Sequence, residues 1–62
     1  MITTKAEFME WLEDYIPEES WRELWLDTPN RQFNNETPRS LLEHGEMEPL
    51  ISMANEIMFV YM

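Results

Sequence analysis

The chain contains no cysteine. A disulfide scaffold and a thiolate-bound zinc site are therefore excluded, which leaves helix packing or association to hold a small domain together. It has one glycine, Gly45, and one lysine, Lys5. A dinucleotide-binding glycine motif and a phosphate-cradling P-loop both need more than that. Basic residues are scarce, four against 13 acidic ones for a net charge of -9. Nucleic-acid binding rests on cations that displace condensed counterions, so direct contact with DNA or RNA is disfavoured, as is an anionic membrane surface. The longest apolar run, Ile57 to Met62, is far too short to span a bilayer. Glu7 and Glu10 follow Lys5 where a secretory signal would place an apolar stretch, and a cysteine-free chain suits a reducing compartment, so the expected location is the cytoplasm.

What is present suits one small folded domain. Of 62 residues, 44% are apolar, with 3 Trp, 3 Phe and 2 Tyr, which is too much for a disordered segment. A domain of this size buries only roughly 60% of the surface its unfolded chain exposes, so each apolar group matters. Alternating patterns, glycine hairpin turns and β-branched runs are missing, and the expected fold is all-α with about four short helices.

The spacing predicts a first helix from about Lys5 to Ile16. Thr4 followed by Glu7 is a capping box, and Phe8, Met9, Trp11, Leu12, Tyr15 and Ile16 share a face opposite Glu7, Glu10, Glu13 and Asp14. Pro17 ends it. Glu18 and Glu19 open a second helix in which Trp21, Leu24, Trp25 and Thr28 form a stripe, with Leu26 pointing elsewhere. Pro29 to Glu36 reads as a loop in which Asn30, Asn34 and Asn35 accept turn conformations while Phe33 tucks back. Thr37, Pro38 and Gly45 are the N-cap, first position and left-handed C-terminal cap of a short third helix carrying Leu41 and Leu42.

A final helix begins near Met47, with Pro49 tolerated in its first turn. Leu50, Ala54, Ile57 and Tyr61 make its central stripe, flanked by Ile51, Met53, Met58 and Val60, whereas Phe59 falls on the side of Ser52, Asn55 and Glu56. The expected core is Trp11, Trp21, Leu24, Trp25, Phe33, Leu41, Leu42, Leu50 and Ile57. The last turn is apolar nearly all round, so Ile57, Met58, Phe59, Val60, Tyr61 and Met62 are candidate partner-contact residues.

Trp25-Leu26-Asp27-Thr28-Pro29-Asn30, then Phe33, then Thr37-Pro38 with Leu41-Leu42 and Gly45-Glu46, resembles the toxin-binding domain of Xre/MbcA/ParS-type antitoxins. The resemblance covers about Trp21 to Tyr61, so the chain divides into an acidic amphipathic helix (1–17) and an antitoxin-like region (20–62) within one domain. Asn34 and Asn35 stand where family members often have glycine, and Pro49 is unusual. Sixteen residues of acidic helix do not make the family's helix-turn-helix domain, so operator binding is not carried over. The resemblance implies a non-catalytic protein-binding module whose partner is a toxin, in the family a RES-type toxin acting on NAD, obstructed by the antitoxin's C-terminal part. Here that part is the last helix.

Two further readings come from the residues themselves. Residues 1–28 carry eight carboxylates against Lys5 and Arg22, a net of -6, and residues 29–62 a net of -3. Glu7, Glu10, Glu13 and Asp14 could present carboxylates in place of nucleic-acid phosphates, as a small acidic inhibitor of a nucleic-acid-binding protein would, or simply keep the chain soluble. The apolar last helix could instead serve self-association. Catalysis and metal binding have little to build on. His44 is the lone histidine and would have to serve Ser20, Ser40 or Ser52 as base, or join Glu43, Glu46 and Glu48 in a weak hard-ion site. No catalytic residue, cofactor or metal is assigned.

Overall fold

The computed structural model describes residues 1–60. Four α-helices and no strand occur among them: α1 (Lys5–Tyr15), α2 (Glu19–Leu26), α3 (Pro38–Glu43) and α4 (Met47–Val60), with a 3₁₀ turn at Arg31–Phe33. The all-α expectation holds, and the boundaries follow the punctuation in the sequence. Glu7 N donates to Thr4 Oγ1 at 3.1 Å while Glu7 Oε1 accepts from Thr4 N at 3.0 Å, closing the capping box of α1. Thr37 Oγ1 accepts from Ser40 N at 3.1 Å, and Pro38 occupies the first turn of α3. Gly45 (φ 72°) takes the left-handed conformation that lets Glu46 N reach back to the Leu41 carbonyl at 2.8 Å.

The segment 29–36 is more ordered than a plain loop. Asn30 Oδ1 accepts from Gln32 N and starts the 3₁₀ turn, and Asn34 (φ 56°) and Asn35 (φ 67°) then swing the chain back through left-handed conformations. Asn30 and Glu36 close the segment as an isolated antiparallel bridge, with Phe33 buried at its centre.

α4 is the spine of the domain. α1 and α3 both pack on it, and α2 lies between α1 and α3. The buried core is Ile2, Phe8, Leu12, Leu26, Phe33, Leu41, Leu50, Met53 and Ala54. Trp11, Trp25, Leu42 and Ile57 are partly buried against it. Trp11 also stacks on Tyr15, ring centroids 4.8 Å apart.

Two expected core residues lie outside it. Trp21 is 60% exposed and Leu24 56%, whereas Leu26, expected to point elsewhere, is buried. At about 100° per residue, the core-facing side of α2 runs through Trp25, Arg22 and Leu26, roughly a third of a turn from the Trp21–Leu24–Thr28 stripe. Two arginines make the polar contacts that go with that roll. Arg22 Nη1 donates to the carbonyls of Ile16 and Pro17 at 3.0 and 2.9 Å, closing the α1–α2 corner. On α3, Arg39 pairs with Glu23 and Asp27 and draws that flank of α2 toward α3. These four polar contacts accompany the burial of Leu26 on the core side of the helix.

The N-terminus is tied down by a contact absent from the sequence reading. Asn55 on α4 accepts from Ile2 N at 2.9 Å and donates to Ile2 O at 3.0 Å, an amide-to-backbone pairing that seats Ile2 in the core.

Candidate functional site: apolar surfaces on α2 and α4

α4 changes character along its length. Its first turns bury Leu50, Met53 and Ala54, as the stripe expects. Ile57 and Met58 are partly buried against the core. Phe59 and Val60 are 83% and 74% exposed. Phe59 lies where its spacing places it, beside Ser52, Asn55 and Glu56, and with Val60 these residues line a shallow hollow. Of the six candidate contact residues, Phe59 and Val60 therefore face solvent and Ile57 and Met58 are half-committed to packing. Tyr61 and Met62 lie outside the described residues.

A second exposed apolar surface follows from the roll of α2. Ile16, Trp21, Leu24, Trp25 and Thr28 line an open groove of about 450 Å³ whose walls are almost wholly apolar. Trp25 also walls a neighbouring hollow with Met53, Ile57 and Val60, to which Asn30, Gln32 and Glu56 contribute polar groups, and Val60 in turn walls the Phe59 hollow. A last depression joins Phe59 and Met58 to Met1. The Trp21–Leu24 groove and the Phe59–Val60 patch are thus two apolar surfaces with a partly polar hollow between them. Sequence reasoning missed the α2 half because its stripe looks like a core face. The legible signal was Leu26, an apolar residue off that stripe.

The acidic face of α1 divides by role. Glu7 is the N-cap partner: besides Thr4, its Oε1 accepts from Thr3 N and Thr3 Oγ1 at 3.1 and 2.8 Å. Those hydrogen bonds hold its carboxyl below the usual glutamate range, the Thr3 hydroxyl contributing most. Glu10, Glu13 and Asp14 are exposed, and no ion pair engages them among the described residues. Arg39, between two carboxylates, is held protonated well above its ordinary range, first by Asp27 and then by Glu23.

Other groups that could carry chemistry are poorly placed for it. Ser40 Oγ and His44 Nδ1 are 3.3 Å apart on the exposed side of α3, a contact that i, i+4 spacing gives any such pair on a helix. No cluster of three or more His, Asp or Glu suited to a metal occurs among the described residues. No helix there is long and apolar enough to cross a membrane.

The turn and cap residues between α2 and α4 serve the fold. Thr28 Oγ1 donates to the Leu24 carbonyl at 2.6 Å and closes α2, Asn30 caps the 3₁₀ turn, Thr37 caps α3, Pro38 is buried, and Gly45 reverses the chain. No family model, curated protein or solved structure matches the chain.

Proposed function

We propose that the chain is a non-catalytic protein-binding module, similar to the toxin-binding domain of Xre/MbcA/ParS-type antitoxins, that restrains a toxin-like partner in the cytoplasm through the end of α4. One observation carries the reading: Phe59 and Val60 stand exposed at the end of a helix whose earlier turns hold the core. A large aromatic side chain left in water on so small a domain costs solubility, and exposed contiguous apolar patches mark interaction sites. Phe59 on its polar-side position adds little to folding and suits insertion into a partner's cleft. In the antitoxin-like reading that cleft belongs to a RES-type toxin.

The phosphate-mimic reading draws on Glu10, Glu13 and Asp14, which are exposed and without an ion-pair partner among the described residues. Glu7 serves it less well, because its carboxylate is committed to the Thr3 and Thr4 donors. The two readings differ in salt response, since screening weakens exposed charge pairs and leaves apolar contact largely intact.

The experiment is a co-precipitation from the source cells with three baits: the natural chain, Phe59→Ser, and a chain with Glu10→Lys, Glu13→Lys and Asp14→Lys. Each is washed at low and high salt after nuclease treatment. The proposal expects a salt-resistant, toxin-like protein retained by the natural and charge-reversed baits and lost with Phe59→Ser. A nucleic-acid-binding protein lost at high salt and with the charge-reversed bait would replace it with the mimic. Recovery of the bait alone as an oligomer would replace it with self-association.

A further inference from the structure

The groove on α2 has a composition that selects its occupant. Its floor and walls are Ile16, Trp21, Leu24, Trp25 and the methyl-bearing Thr28, with very little polar surface. Two tryptophans in one open groove are the side chains most enriched where binding energy concentrates. The surrounding charge is of one sign. Glu18 is exposed one helical turn before Trp21, in a chain of net charge -9.

Neither nearby arginine is free to meet Glu18: Arg22 is directed at the carbonyls of Ile16 and Pro17, and Arg39 is paired with Glu23 and Asp27. Lys5 starts the far end of α1, and Arg31 lies in the turn beyond Pro29. A second copy of this chain is a poor occupant, because it would bring another strongly acidic surface against this one and like charges across an interface oppose association.

We propose that this groove docks a basic amphipathic helix of a partner protein, with large apolar side chains on one helical face set between Trp21, Leu24 and Trp25. Lysines and arginines flanking that face meet Glu18 and the acidic surface of the chain. Recognition is of the helix-in-groove kind, with anchors at i, i+3 or i+4, and i+7. It rests on the reading of the chain as a binding module and adds a second face with the chemistry of what covers it. Charge draws the segment in, and the two indoles hold it.

The test uses the full chain and three synthetic peptides of about 18 residues, long enough for several helical turns. One has leucines at helical spacing with lysine and arginine elsewhere. One keeps the leucines and replaces the cations by glutamate. One has the first peptide's composition in an order with no apolar face. Binding is read from the amide and indole NMR signals of the chain and by calorimetry at low and high salt.

The proposal expects the first peptide alone to bind, moving the Trp21 and Trp25 indole signals, and its Kd to rise with salt. The double variant Trp21→Ser, Leu24→Ser weakens it by about tenfold or more, as loss of central apolar anchors does, with the helical circular dichroism retained. If that variant fails to fold, Leu24→Gln alone, at an exposed site, takes its place. Phe59→Ser leaves this binding unchanged, which separates the groove from the α4 patch: failure of the peptide to bind the natural chain removes the groove proposal, whereas the co-precipitation with Phe59→Ser decides the other. Equal binding by the acidic or reordered peptide overturns the proposal. So do shifts confined to α4, or self-association that Trp21→Ser abolishes.

Discussion

The roll of α2 decides whether the molecule has an exposed apolar groove, and a pair of leucines two positions apart tests it. Leu26 is buried (6% exposed) and Leu24 is mostly exposed (56%). Leu26→Ala removes buried methyl groups and leaves a cavity, at a cost of about 2–5 kcal/mol. Leu24→Ala gives up less than half of a side chain's burial, about 1 kcal/mol or less. Alanine's better helix propensity offsets a few tenths of that, roughly 0.2 kcal/mol. A domain of this length is expected to hold about 3–9 kcal/mol in total. Urea unfolding followed by circular dichroism has a slope of about 1 kcal/mol per molar for small proteins. The Leu26→Ala midpoint therefore falls by about 2 M or more, or the variant is unfolded without denaturant, while Leu24→Ala moves by less than about 1 M. Equal losses, or a larger loss at Leu24, would mean that α2 faces the core with its Trp21 stripe and that no groove exists.

Asn55→Ala removes both hydrogen bonds to Ile2 and should cost about 1–3 kcal/mol, with early amide exchange of residues 2–4 as its local signature. Glu7 has a folded pKa below its unfolded one, so the capping box contributes fully above the ordinary glutamate pKa and its contribution is lost as pH falls through the lower, folded value. Glu7→Gln should accordingly lower the melting temperature near neutrality, with the gap to the natural chain narrowing in acid. Gly45→Ala should destabilise by about 1 kcal/mol although the new methyl group meets no neighbour within 4 Å, because the penalty is in φ and not in space; Gly45→Asn should cost less in the same thermal melt.

Local structure was readable where single residues dictate it. Thr4 with Glu7, Thr37 with Pro38, and Gly45 satisfy or end helix backbones by their own chemistry, and the structure uses each as the sequence implies. Phe59 was readable as an outlier because its helical angle alone separates it from Leu50 and Ala54. The face of α2 was not. Hydrophobic spacing identifies an apolar stripe but not what lies opposite it, and here the buried side carries Leu26, with Arg22 bonded to the α1–α2 corner and Arg39 of α3 paired with Asp27 on the flank. Ile2 escaped for a related reason: its place in the core depends on Asn55, 53 positions away. The 3₁₀ turn at Arg31–Phe33 needed the Asn30 cap and two left-handed asparagines acting together, of which only the asparagines' tolerance was legible.

Whether the exposed end of α4 is a contact surface is tested directly by photo-cross-linking in the source cells, with a benzophenone amino acid placed in turn at position 59 and at position 10 on the acidic face of α1. A contact surface at the end of α4 gives a discrete cross-linked protein from position 59 that is absent from position 10. Cross-links from position 10 with none from position 59 would contradict it and give the acidic face the functional role.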